Sequence, residues 1–254
     1  MRAIVTGASG GIGLEFAKLL AADKHDVVLV ARSADKLEAL ASQLRADYGV
    51  DAQAVAMDLS APDAASHLFA QVADCDILIN NAGFASNGRF DELDSKRIRD
   101  EIMLDVLTLT ELTRMYLPKM RARGSGRILN VASTAAFVPG PFMAVYYAAK
   151  AYVLSFSQAL AEELRGSGVT VTCLCPGATE TGFAQRADVT GTLLFKLPKA
   201  HAASVARAGY KGMLKGRDLV VPGISNQLVA ISPRFSPRRL VLWMSRKAVE
   251  PSKP

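Results

Sequence analysis

The stretch VYYAAKAYV, residues 145–153, sets Tyr146, Tyr147 and Tyr152 around Lys150 in otherwise small, apolar company. A phenol with a pKa of about 10 neither gives nor takes a proton readily near neutral pH. An ammonium beside it stabilises the phenolate and lowers that value, each unit being worth about 1.4 kcal/mol. On a helix, Lys150 shares a face with Tyr146 four residues earlier and with Tyr147 three earlier. Spacing therefore suggests a tyrosine–lysine acid–base pair without choosing the tyrosine, and a lysine snorkelling from an amphipathic helix is the structural alternative.

A second stretch, TGASGGIG at residues 6–13, follows an apolar run and precedes a helix-period segment. Glycines at 7, 11 and 13 permit a tight turn, a close approach of backbone to a pyrophosphate and close helix–strand packing, with phosphates at a positive helix N-terminus. Dinucleotide sites of this kind that take NAD carry an acid at the end of the second strand, whereas a cation there suits the 2′-phosphate of NADP. Here that strand ends VLVARS, with Ala31 in the place of the acid and Arg32 after it, which favours NADP(H) over NAD(H). Asp58 ends a third apolar run, placed for the adenine amino group or as a helix N-cap, and NNAG (80–83) ends a fourth.

These residues need a scaffold, and the chain has the pattern for one. Apolar runs at 3–7, 26–31, 52–57, 76–80, 127–133, 169–175 and 218–223 lack polar alternation, as strands covered on both faces do. Helix-period segments at 14–22, 34–48, 95–122 and 147–166 lie between them. The alternation predicts an α/β fold, a single Rossmann-like doubly wound domain with a parallel sheet. Half of the 254 residues are apolar, enough for a large core, and no linker or repeat divides them. Residues 182–212 interrupt the alternation above the strand ends, as a substrate lid or a pair of core helices would.

The formal charge of +6 comes without the aromatic interleaving that grips nucleic acid. No run approaches the ~20 apolar residues of a membrane span, and the first residues leave no room for a secretion signal. Cys75, Cys173 and Cys175 have neither disulfide nor zinc spacing and read as reduced core thiols of a cytoplasmic protein, with no metal expected. Residues 224–254 form a basic extension in which Leu240, Trp243 and Met244 share a helical face flanked by arginines. Packing within the protein is the expectation, with contact to an anionic membrane as the alternative.

TGASGGIG, NNAG, Ser133 in NVAS, Tyr146-x3-Lys150 and CPGATET (175–181), in this order and spacing, resemble the short-chain dehydrogenase/reductase family over residues 1–223. The resemblance implies a seven-stranded sheet of order 3-2-1-4-5-6-7 and a homodimer or homotetramer. It implies NADP(H) held by Gly7, Ser9, Gly11, Ile12 and Gly13 at the pyrophosphate and by Arg32, Asp58 and Asn81 on the adenosine side. Thr179 and Thr181 would meet the nicotinamide. It selects Tyr146, thirteen residues after Ser133, as general acid/base. Lys150 would lower its pKa and hold the nicotinamide ribose, and Ser133 would bind the substrate oxygen. One position departs from the family pattern. Thirteen residues before Pro118, where the family has an asparagine supporting a water linked to the lysine, this chain has Asp105. An ionised Asp105 would oppose the tyrosinate, giving an altered pH profile, whereas a protonated one would replace the amide as a donor.

The function expected is interconversion of a carbonyl and an alcohol on a small, fairly apolar substrate near Phe137, Phe142, Phe183, Leu194 and Phe195. A non-catalytic NADP(H)-binding sensor or scaffold is the alternative.

Overall fold

The computed structural model describes residues 1–196 and 198–250, without the side chains of Leu194 and Phe195. The expectation that those two line the pocket lies outside the described residues, as do Leu197 in the expected lid and residues 251–254 of the extension.

Seven parallel strands form the sheet: β1 (Arg2–Thr6), β2 (Asp26–Ala31), β3 (Ala52–Ala56), β4 (Ile77–Asn80), β5 (Gly126–Val131), β6 (Val169–Leu174) and β9 (Leu219–Val220). Their order is β3-β2-β1-β4-β5-β6-β9, so the chain starts at the centre, works outwards to one edge and then to the other. This is the expected order 3-2-1-4-5-6-7, with β9 as the seventh strand of the sheet. Two short strands, β7 (Thr179–Glu180) and β8 (Ala200–His201), pair separately.

The unbroken apolar runs are explained by the pleat, which sends successive side chains to opposite faces. Ala3, Val5, Val27, Leu29, Ile77 and Ile79 face one layer of helices, α1 (Gly11–Ala22), α2 (Ala34–Tyr48) and α9 (Ala202–Leu214). Ile4, Val28, Val30, Leu78 and Ile128 face the other, with α3 (Ala64–Gln71), α5 (Leu109–Arg123) and the end of α6 (Ala144–Glu163). Phe16, Leu37 and Leu44 in the first layer and Leu68 in the second are fully buried, each contributing roughly 1.5–3 kcal/mol.

Two expectations change. The long helix at 95–122 is α4 (Ser95–Ile102), a π-helical turn (Met103–Thr108) and then α5. Asp94 starts it by accepting from Arg97 N at 2.9 Å, and Gly124, at φ 64°, ends it. The lid expected over 182–212 is also shorter. Helix α9 is the crossover from β6 to β9 and buries Val205, Tyr210 and Met213 in the core, with Tyr210 Oη donating to Asp23 at 2.7 Å. Before β8 come α7 (Phe183–Arg186) and α8 (Leu193–Lys196), and Phe183 and Arg186 of α7 line the cavity at the strand ends.

The extension folds as α10 (Ile224–Ile231) and α11 (Arg238–Val249). Leu240, Trp243 and Met244 remain 46–59% exposed, while Ser245 and Val249 are buried and Asn87 donates to Val249 O at 3.1 Å. No helix among the described residues is long and apolar enough to cross a membrane.

Candidate active site

The carboxyl ends of β1, β4, β5 and β6 open into one cavity lined by Gly11, Asn81, Ser133, Tyr146, Lys150 and Thr179, among others. Ser133 follows β5, where its Oγ accepts from Ala135 N at 3.1 Å and donates to Pro176 O at 3.5 Å. The first turn of α6 brings Tyr146 to the same place, with its hydroxyl facing Ser133. Lys150, one turn on and 5% exposed, donates to Val131 O at 3.3 Å and lies 5.5 Å from the centre of the Tyr146 ring.

The helix geometry separates the tyrosines. Tyr147 packs over Gly140, where an added Cβ would come within 2.3 Å of its ring, and its hydroxyl faces Ser245 on α11. Burial holds that phenol up at about 12, too weak an acid for the task. Tyr152 is 39% exposed, with its hydroxyl 3.0 Å from Thr110 Oγ1.

Asp105 reaches the site from the long helix. The π turn aims it inwards at 1% exposure, with Oδ2 3.0 Å from Lys150 Nζ and Oδ1 accepting from Phe84 N at 3.3 Å. The carboxylate thus meets the lysine directly, where the family pattern implies a water between amide and ammonium. The pair is tight enough that a Cβ on Gly83 would lie 2.8 Å from Asp105 Oδ1 and 3.2 Å from Lys150 Nζ. Burial alone would lower the Lys150 pKa, but Asp105 and Tyr146 raise it overall, so the ammonium is held charged. Burial raises Tyr146 above its ordinary value. Lys150 and Ser133 work against this rise, while Asp105 and Glu101 add to it. In this state the tyrosine is held protonated, as a proton donor requires.

The glycine loop has the backbone its sequence suggests. Gly7 and Gly11 have φ of 68° and 58°, and a Cβ on Gly13 would sit 2.4 Å from Gly7 O. Helix α1 begins at Gly11, with its positive end in the cavity. Ile12 and Thr181 line the same wall. Thr179 Oγ1 donates to Gly177 O at 2.9 Å, and Thr181 Oγ1 accepts from Phe183 N at 3.2 Å.

A second lobe runs from this loop past Ser9, Arg32, Ser33, Lys36 and Asp58. Asp58 accepts from Ser60 N at 3.0 Å and Ser60 Oγ at 2.7 Å. Burial would raise its pKa, but those bonds and Arg32 bring it below the ordinary value. Asn81 lies in the first lobe. Its amide donates to Thr6 O at 2.8 Å and Gly7 O at 3.3 Å, which braces the glycine loop, and it lines the lobe with Ser133 and Tyr146.

Sequence reasoning missed Lys36, Arg186 and Glu101. Lys36 in the first turn of α2 was findable once Arg32 had been placed just before that helix. Arg186 stands where the two lobes meet, with no sequence signal to mark it. Glu101 is fully buried four residues before Asp105, and that i, i+4 spacing of acids was visible.

The chain matches the short chain dehydrogenase family over residues 1–190. It is 36% identical over 212 residues to the ketoacyl reductase HetN of Nostoc sp., covering 81% of this chain and 74% of that one. It is 34% identical over 189 residues to the very-long-chain 3-oxoacyl-CoA reductase of Bos taurus, covering 72% of this chain and 61% of the bovine one. Among solved structures, a short-chain dehydrogenase from Sphingobium yanoikuyae in complex with NADPH superposes with a TM-score of 0.83 at 33% identity, over 92% of this chain and 93% of that one. On its strand order, its five motifs and these matches, the chain belongs to the short chain dehydrogenase family, oxidoreductases that act on CH–OH and carbonyl groups.

Proposed function

We propose that the protein is an NADPH-dependent reductase that converts an apolar ketone or aldehyde to the alcohol, with Tyr146 as the proton donor. The observation that carries this reading is the convergence of Ser133, Tyr146 and Lys150 on one cavity edged by a loop in which Gly7, Gly11 and Gly13 leave no room for a Cβ. The loop fits a dinucleotide, because a Cβ at Gly13 would fill the space needed for close helix–strand packing. Gly7, Ser9, Gly11, Ile12 and Gly13 would hold the pyrophosphate, and Arg32, Lys36 and Asp58 the adenosine end. Thr179 and Thr181 would hold the nicotinamide end. Bound there, NADPH supplies the hydride.

The chain's own residues do the rest. Ser133 orients the carbonyl oxygen, Tyr146 gives it a proton, and Lys150 steadies the phenolate left behind. Arg32 with Lys36 supports NADP(H) over NAD(H), as does the NADPH held by the Sphingobium protein. Met143 and Phe183 give the cavity an apolar side, and two relatives bear the names of ketoacyl reductases, which supports 3-oxoacyl thioesters as substrates. Ile102, Leu107 and Tyr152, left 39–45% exposed around α4, α5 and α6, support assembly into a homodimer or homotetramer. Three buried free thiols support a cytoplasmic setting.

The test is NADPH absorbance against ketones, aldehydes and 3-oxoacyl thioesters of rising chain length, with Tyr146→Phe beside the unaltered protein. Oxidation that vanishes in the variant is the result expected. Tight NADPH binding with no turnover of any carbonyl would replace the reductase reading with a cofactor-binding sensor.

A further inference from the structure

The two helices of the extension turn apolar side chains to solvent in a pattern. Ile224, Leu228 and Ile231 follow one another at spacings of four and three along α10, which puts them on one face of the helix, and Phe235 comes in the turn after it. These four are 53–83% exposed, and α10 buries none of its residues. On α11, Leu240, Trp243 and Met244 stand on the side away from Ser245 and Val249, the two residues that this helix buries. Single exposed apolar residues are ordinary on a protein surface, whereas a set gathered in one segment marks a surface that docks.

The same segment gathers the positive charge of the chain. Residues 224–254 hold six of the 30 lysines and arginines and one of the 24 acids, Glu250, so five of the six net charges belong to them. The ion pairs of the segment are those of Arg246 and Lys247 with Glu250, at 3.3 and 3.2 Å, which leave Arg234, Arg238 and Arg239 without a counter-charge among the described residues. Apolar side chains set among unpaired cations suit the boundary of an anionic bilayer, which takes the first below the headgroups and the second at the phosphates. A second copy of this chain suits the surface less well. An isologous contact sets the same patch of each chain against the other, and here that brings cation against cation.

We propose that α10 and α11 dock the protein on an anionic phospholipid bilayer, with Ile224, Leu228, Phe235 and Trp243 entering the headgroup boundary and Arg234 and Arg239 meeting lipid phosphates. The inference stands apart from the reductase reading, since it concerns where the protein sits and not what it reduces. It also brings the catalytic cavity close to the bilayer, because α10 is seated against the cavity wall. Gly177 lines that cavity, and a Cβ on it would come within 2.3 Å of Asn226 Oδ1 on α10. Asn226 is itself held by donating to Pro222 O at 2.6 Å, so the helix and the wall are fixed to each other at that point.

The test uses the full chain with vesicles of phosphatidylglycerol and phosphatidylcholine in equal parts, and with vesicles of phosphatidylcholine only beside them. Trp243 is the one tryptophan of the sequence, so its emission reports on α11 directly. The proposal expects co-sedimentation with the anionic vesicles and a blue shift of that emission, neither of them seen with phosphatidylcholine only. It expects binding to weaken at least about tenfold between about 0.1 and about 0.5 M salt. Leu228→Ser combined with Phe235→Ser changes two exposed positions and leaves the core untouched, and it weakens binding by at least about tenfold. Arg234→Gln combined with Arg239→Gln does the same through charge, by about fivefold for each arginine. No binding to the anionic vesicles at about 0.1 M salt, or binding without the emission shift, would overturn the proposal. So would binding that the Leu228 and Phe235 substitutions leave unchanged, which would reduce it to a diffuse attraction between a basic protein and lipid. An oligomer that those two substitutions dissociate, in a chain that does not bind vesicles, would overturn it in favour of a second copy on the same face.

Discussion

Glu101 is fully buried, with no hydrogen-bond partner of good geometry for either carboxyl oxygen among the described residues, and Glu101→Gln therefore has a consequence in stability whose sign and size follow from the structure. An unfolded chain ionises this acid near 4.5, whereas the folded protein holds its proton up to about 7. Between those values the folded state binds more protons than the unfolded one, so stability falls as pH rises and the full cost is present above the folded value. The gap corresponds to about 3 kcal/mol, an order-of-magnitude figure. Glutamine keeps the shape and a donor but cannot ionise. Urea unfolding at pH 5 and pH 8.5 therefore gives near-equal stabilities at the lower pH and a glutamine variant more stable by about 3 kcal/mol at the higher. A difference between the two proteins that does not change with pH would refute the reasoning. It would mean that Glu101 finds a counter-charge on folding that the buried geometry does not show.

Three other perturbations follow from the same site. Asp105→Asn removes a negative charge that raises Tyr146, so the pH midpoint of alcohol oxidation shifts down, read from initial rates between pH 7 and 10. Gly13→Ala places a methyl 2.4 Å from Gly7 O, and NADPH affinity, read from fluorescence titration, falls by more than about tenfold while the far-ultraviolet circular dichroism is retained. Arg32→Ala, in the lobe with Lys36, costs about 1.5–3 kcal/mol of NADPH binding and leaves NADH binding within about twofold, measured by calorimetry.

The sheet was legible because parallel strands covered on both faces leave a mark in the sequence. Val27 to Val30 are all apolar since alternate residues serve two different helix layers. The glycine loop was legible for a similar reason, as a positive φ at Gly7 and Gly11 restricts residue type at single positions. The π turn at 103–108 was not. MLDVLT suits an α-helix equally well, and the change of pitch accompanies a tertiary contact, Asp105 on Lys150, between residues 45 apart. The brace that Asn81 forms was not legible because its partners, the carbonyls of Thr6 and Gly7, belong to a turn whose shape periodicity does not carry. Helix α3 went unread for want of signals, since it is eight residues long and Asp63 before it adopts a left-handed conformation without a side-chain cap.

The central claim is that Tyr146, and not Tyr147, gives the proton to a carbonyl reduced by NADPH. Single-turnover oxidation of bound NADPH by a 3-oxoacyl thioester, in Tyr146→Phe beside Tyr147→Phe, tests it most directly. The account predicts a loss of at least about a hundredfold in the first and a change of less than about threefold in the second. Equal losses in the two variants, or a Tyr146→Phe protein that still reduces the thioester at the original rate, would contradict it.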